Sequence, residues 1–304
     1  MTQYLQLVKR NLLMYLRDKG VIFFSLLSMM VVLCLMVFFL GDINIDMLTD
    51  KLAELPNRNA LQDEKNAFLL ILAWTIGGII PSNAVMVTLS SYSAMIKDKN
   101  SKRSDAIYIS PVKRTVIALS YITSTCLAAI IICILTFVIA EIYYVMKGAQ
   151  IFSVASHIKI ILMIIANCFS YSAIMYLFAT LVKTESAWSG FGTVIGALVG
   201  FFGGTYMPIG QLSLVLQNIV KCTPVIYSTV MFRDILCEDI YTTLFHNVPD
   251  EIASIYKETM GISINLFENS ISPLACCIIL LISGCVCLML GVLALKLIKR
   301  KGAK

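Results

Sequence analysis

The chain is 304 residues long, 59% hydrophobic and only 14% charged, against roughly a quarter charged in a soluble domain. No water-soluble core of this length is so apolar, and a soluble globular enzyme is excluded. The net charge of +6 invites a nucleic-acid partner, but the charges lie between apolar runs, an arrangement that fits lipid headgroups and topology and no nucleic acid.

Residues 1–19 are expected to form an interface helix. Tyr4, Leu5, Val8, Leu12, Tyr15 and Leu16 recur at helical spacing while Gln3, Gln6, Arg10 and Arg17 gather opposite. That pattern lays an apolar face in the acyl boundary and a basic face among headgroups; a cytosolic helix packed on a partner protein is the alternative. Six apolar runs follow, at 20–40, 67–96, 115–144, 160–182, 187–207 and 271–295. A bilayer core of about 30 Å needs about 20 helical residues, which every run supplies. The first run lacks a small-residue cleavage site at its end and follows a helix instead of a short basic tag, so it reads as an anchor and not a cleavable signal.

Between the second and third runs lies 97–114, KDKNSKRSDAIYISPVKR. Ser104 is placed to cap a short helix through Asp105, Ala106, Ile107 and Tyr108, which ends before Pro111. Held between two spans, such a helix is suited to pass on the motion of a cytoplasmic partner; the bland alternative is a basic anchor set by topology alone. The one charged residue inside a run is Glu141, near the end of the third, where a snorkelling interfacial carboxylate is expected.

The fifth run carries Gly192, Gly196, Gly200 and Gly204 at a spacing of four, which stacks them on one helical face and favours close packing within the chain or across a dimer. Gly203 and Pro208 follow, where the helix should break. The segment 208–232 holds Pro208, Lys221 and Pro224 and reads as a re-entrant or interfacial hairpin, or else as an amphipathic surface loop. The stretch 233–270 is an acidic loop in which Ile252, Ile255 and Tyr256 mark a short amphipathic helix; a role in substrate exit or partner binding stands beside a solvated elaboration.

With the amino terminus in the cytoplasm, 16 of the 24 basic residues fall inside, and the two sides carry +12 and −6. The positive-inside rule therefore puts both termini in the cytoplasm and leaves no seventh span. The runs hold no metal or catalytic constellation, with two histidines in all, His157 and His246, and no HExxH or GxSxG. Eight of the ten cysteines lie in runs and read as small apolar residues; Cys222 and Cys237 fall outside and leave one disulfide open. No GxxxxGK[ST] is present, so any ATP that drives the chain is bound elsewhere.

Three regions together resemble a type-2 ABC transporter permease: the amino-terminal helix, the loop 98–114 with its closing Ser110, Pro111, Val112, Lys113 and Arg114, and the stretch 203–233, GGTYMPIGQLSLVLQNIVKCTPVIYSTVMFR. The resemblance implies one all-α polytopic permease domain over 1–304, with six transmembrane helices, the interface helix 1–19, a coupling loop at 97–114, an external re-entrant hairpin at 208–232 between helices five and six, and an external loop at 233–270. It implies transport without catalysis in this chain, in a bacterial cell membrane, with ATP and Mg on two ABC ATPase subunits and a second permease copy or a related permease beside it. ATPase coupling would fall to Asp98, Lys102, Arg103, Asp105, Ile107, Tyr108 and Pro111, and the external gate to Met207, Pro208, Leu212 and Pro224. The loop lacks the glycine that family members often carry there. Export of an amphiphilic drug, peptide or lipid-like molecule is the implied function; a non-transporting sensor, immunity protein or scaffold, and an ion-coupled carrier dependent on Glu141, are the competing readings.

Overall fold

The computed structural model describes residues 2–35, 41–53, 58–101, 112–246, 248–266 and 269–302. In chain order these form α1 (Thr2–Leu16), α2 (Lys19–Leu35), α3 (Gly41–Ala53), α4 (Ala60–Asn100), α5 (Arg114–Met146), α6 (Val154–Leu181), α7 (Glu185–Phe202), a 3₁₀ turn (Ile209–Gln211), α8 (Leu214–Lys221), α9 (Pro224–Leu244), α10 (Asp250–Thr259), β1 (Asn265–Leu266), β2 (Asn269–Ser270) and α11 (Pro273–Gly302). The two short strands pair antiparallel, with Asn265 opposite Ser270. Among the described residues, everything else regular is helical.

Among the described residues four helices, α4, α5, α6 and α11, are long and apolar enough to cross a membrane alone. Two bent pairs, α1 with α2 at 63° and α8 with α9 at 89°, would each add one span if counted as one. The fifth run is shorter than its sequence suggests: α7 has 18 residues, about 27 Å at about 1.5 Å per residue, and 203–207 is turn. The 208–232 segment is two helices meeting near a right angle, and α9 continues to Leu244, so the expected boundary at 232/233 falls inside a helix.

Local chemistry sets these ends. Asp18 accepts the Val21 amide at 3.2 Å and starts α2 after the bend. Asn59 and Thr184 cap α4 and α7 through the amides of Gln62 and Ala187, and Pro224 opens α9 at a position where a missing N–H does no harm. Pro81 lies within α4 and offers no N–H to the Gly77 carbonyl, which loosens that turn.

α4 is the centre of the bundle, packed by α5, α6, α7 and α9, while α11 lies along α6. Close approach there depends on two glycines: a Cβ on Gly284 would sit 2.8 Å from the Ser170 Cα, and one on Gly291 would sit 2.9 Å from the Tyr176 ring. α1 does not lie with a whole face in lipid. Val8, Asn11 and Tyr15 are buried, with the Tyr4 hydroxyl 2.7 Å from Thr123 Oγ1 and Asn11 Nδ2 donating to Ser120 at 3.5 Å, both on α5. Polar partners on α5 explain why this face chose protein over acyl chains.

Candidate functional site

One cluster closes the end of the bundle that carries the start of the 97–114 loop. Asp98, on the last turn of α4, is 2% exposed. Arg10 Nη2 of α1 donates to its Oδ2 at 2.7 Å, and the Tyr121 hydroxyl of α5 donates to the same oxygen at 2.7 Å. The next two residues continue the grip. Lys99 Nζ donates to the Ala179 carbonyl of α6 at 2.7 Å, and the Asn100 amide, oriented to satisfy both of its groups, donates to Lys183 O at 2.8 Å and accepts from Glu185 N at 3.0 Å. The root of the loop is thus bonded to α1, α5, α6 and the link into α7. Asp98 is an internal anchor here, with no free face for a partner chain. Lys102, Arg103, Asp105, Ile107, Tyr108 and Pro111 lie outside the described residues.

The glycines of α7 meet the chain's own α4. A Cβ on Gly192 would lie 2.9 Å from Leu89 Cδ2 and one on Gly196 3.2 Å from Met86 Cε, while Gly200 lies against the Tyr206 ring. Gly204 is not on this face. The helix ends at Phe202, and Gly204, at φ +59°, is the left-handed residue of the terminating turn. Beside this seam, α4 and α7 part into a groove of about 910 Å³, with Met86, Ser90, Ser93, Lys97, Ser189 and Thr193 in its walls.

The second cluster sits toward the opposite end, where Met207, Pro208, Leu212 and Pro224 were expected to form a gate. Pro208 leads into the 3₁₀ turn, Leu212 ends it, and Pro224 starts α9 after the right-angle bend. Met207 and the α8 residues Leu214, Val215 and Ile219 are exposed. Behind them is Arg233 of α9, wholly buried at 0% exposure. Its Nε donates to Trp74 O of α4 at 3.2 Å, Nη2 to Gly204 O at 2.8 Å, and Nη1 to Met260 O at 3.3 Å and Gly261 O at 3.5 Å. The guanidinium carbon lies 3.9 Å from the centre of the Trp74 ring, and the Trp74 indole donates to Met260 O at 2.6 Å. Gly77 and Gly78 leave the room: a Cβ would fall 2.7 Å from Arg233 Cγ at the first and 2.7 Å from Thr205 Oγ1 at the second. α10 is fastened nearby by Tyr241, whose hydroxyl donates to Ala253 O at 2.6 Å, and by Tyr256 against Phe245. Burial pushes the Tyr256 phenol well above its usual range and keeps it neutral.

Glu141 does not snorkel. It is buried, accepts the Phe152 amide at 3.3 Å and faces His157 Nε2 at 3.0 Å, so its charge fastens the 147–153 turn. Cys222 and Cys237 are free thiols, the first exposed and the second buried. Sequence reasoning named Asp98 and Arg233 but missed Arg10, Tyr121, Trp74 and Gly261 as their partners. The pair Gly77–Gly78, four residues before a mid-helix proline, was the available signal.

The family model described as ABC-2 family transporter protein matches residues 44–295. A search of curated proteins returns no significant match.

Proposed function

The chain belongs to the ABC-2 family of transporter proteins, and from that premise we propose that it is the permease subunit of an ATP-driven exporter of amphiphilic molecules. Two copies, or this chain and a related permease, cross a bacterial cell membrane with both termini in the cytoplasm and engage two ATPase subunits that carry ATP and Mg. Each copy crosses six times, α2 and α7 being the shorter crossings, and α8 with α9 forms the external re-entrant hairpin.

The observation that carries this reading is the root of the 97–114 loop. A docking segment that is to drive a bundle must be tied to more than its own helix, and Asp98, Lys99 and Asn100 tie it to three other helices and the link into α7. Residues 102–111 dock on the ATPase. The groove between α4 and α7, with hydroxyls and apolar side chains in its walls and the charged Lys97 and Glu185 among them, receives an amphiphile, and the turn at Pro208 to Leu212 with α8 closes the way out. Each carboxylate oxygen of Glu141 is engaged across the 147–153 turn, one by the Phe152 amide and one by His157, which speaks against an ion-coupled carrier.

The test replaces 102–111 with a Gly/Ser linker of equal length in the purified complex and measures ATP turnover. Loss of permease-dependent turnover with the chain still folded is expected. Failure to copurify with any ATPase, or turnover unchanged by the linker, overturns the proposal.

A further inference from the structure

We infer that Arg233 is the latch that holds the outer gate shut, a reading that rests on the permease function proposed above. A guanidinium with no exposed surface and no carboxylate within ion-pair distance among the described residues must be stabilised by backbone dipoles and by the Trp74 ring it lies over, because desolvating a charge is otherwise prohibitive.

Two helix ends supply those dipoles. At the end of α7 the Thr205 amide donates to Gly200 O at 2.7 Å and the Gly204 amide to Phe201 O at 3.0 Å; at the end of α10 the Ile262 amide donates to Lys257 O at 2.9 Å and the Gly261 amide to Glu258 O at 3.0 Å. Both are Schellman caps, with Gly204 at φ +59° and Gly261 at φ +64° in the left-handed position. Three of the four carbonyls that grip Arg233, those of Gly204, Met260 and Gly261, belong to these cap residues, and the fourth is Trp74 O within α4. Each helix C-terminus carries about half a negative charge, so the two ends together balance about one cation. Neither end alone does so.

The acceptors belong to three separate segments: Trp74 to α4, Gly204 to the turn leading into the gate, Met260 and Gly261 to the loop beyond α10. Ile209, on the gate turn, packs between Gly204 and Gly261, 2.9 Å and 2.6 Å from where their Cβ atoms would stand. Moving the gate turn away from α10 leaves a buried cation short of acceptors until water enters. The water that satisfies it is the water that opens the exit, so the grip is held or released as a unit.

The test uses the full chain in its native membrane, with Cys34, Cys222 and Cys285 each replaced by Ser to remove the exposed thiols and Ile209→Cys as reporter, labelled from outside by a membrane-impermeant maleimide. Arg233→Met is expected to raise the labelling rate about tenfold or more, the effect of losing one hydrogen bond to a charged group. Arg233→Lys, which keeps the charge without the fork that reaches three segments, should give a smaller rise. Trp74→Phe keeps an aromatic face but loses the bond to Met260 O and should give a several-fold rise; it decides the matter if Arg233→Met fails to accumulate. Buried Cys133 and Cys168, probed with a permeant maleimide, should stay unchanged. Unaltered labelling of position 209 in these variants overturns the latch, and so does a matching rise at Cys133 and Cys168, which would signify general loosening. Labelling of the resting chain needs no ATPase, so failure to find one would sink the permease reading without touching this result.

Discussion

Asp98 has two donors on one oxygen and almost no contact with solvent, whereas its partner Arg10 is about one-third exposed at the side chain. The pair therefore contributes less than a fully buried one. Asp98→Asn should cost about 1–2 kcal/mol, read as a lower melting temperature in detergent and faster trypsin cleavage at Arg10 and Arg17 as α1 comes loose. Tyr121→Phe should cost about 1 kcal/mol by the same reasoning and loosen α1 less. Glu141→Ala strips the Phe152 amide and His157 of their acceptor and should cost about 1–3 kcal/mol, while ATP-driven transport survives; abolished transport with stability unchanged would revive the ion-coupled reading. Sequence alone located Asp98 and Glu141, because a charge at the edge of an apolar run stands out, whereas Arg233 entered only as the last residue of the 203–233 stretch that carried the family resemblance. It misjudged how the first two are used, since a carboxylate that will be bonded by residues 88 or 16 positions away looks identical to one that will face water.

At the scale of elements, the helix-bearing segments were legible because apolar length and composition are one-dimensional properties. Their ends were less so. The fifth run continues apolar past Phe202, and only the left-handed turn at Gly204 stops the helix, so a spacing of four misread a cap as a packing position. The seven-residue spacing of Gly284 and Gly291 on α11 went unread, although it brings α11 against α6. Gly284→Ala should force those helices apart and cost about 1–3 kcal/mol, seen as reduced thermal stability. Gly190 on α7 has nothing within 4 Å; Gly190→Ala should leave the isolated chain unharmed or stabilise it by about 0.5–1 kcal/mol. If the same change lowers the stability only of the assembled transporter, a second subunit covers that face.

For the whole molecule, topology was read from charge bookkeeping, and it is testable directly. A single cysteine at Gln3 should react with an impermeant reagent only after the membrane is opened, and one at Ile255 should react in intact cells. Reaction of both from the same side would overturn the topology. α4 bears on the same scale. Its 41 residues extend about 61 Å at about 1.5 Å per residue, twice the thickness of a hydrocarbon core. Asp98 and Trp74 stand on this one rod, about 36 Å apart by the same rise, with Pro81 between them. A helix resists stretching far better than bending, so a pull on its Asp98 end should arrive at its Trp74 end as a displacement of similar size, with the missing hydrogen bond at Pro81 the easiest place to bend. Communication between the two ends of the bundle then needs no chain of side-chain rearrangements, and if the chain works as the proposed permease, a substitution that stiffens position 81, such as Pro81→Ala, should alter the timing of release without weakening either grip.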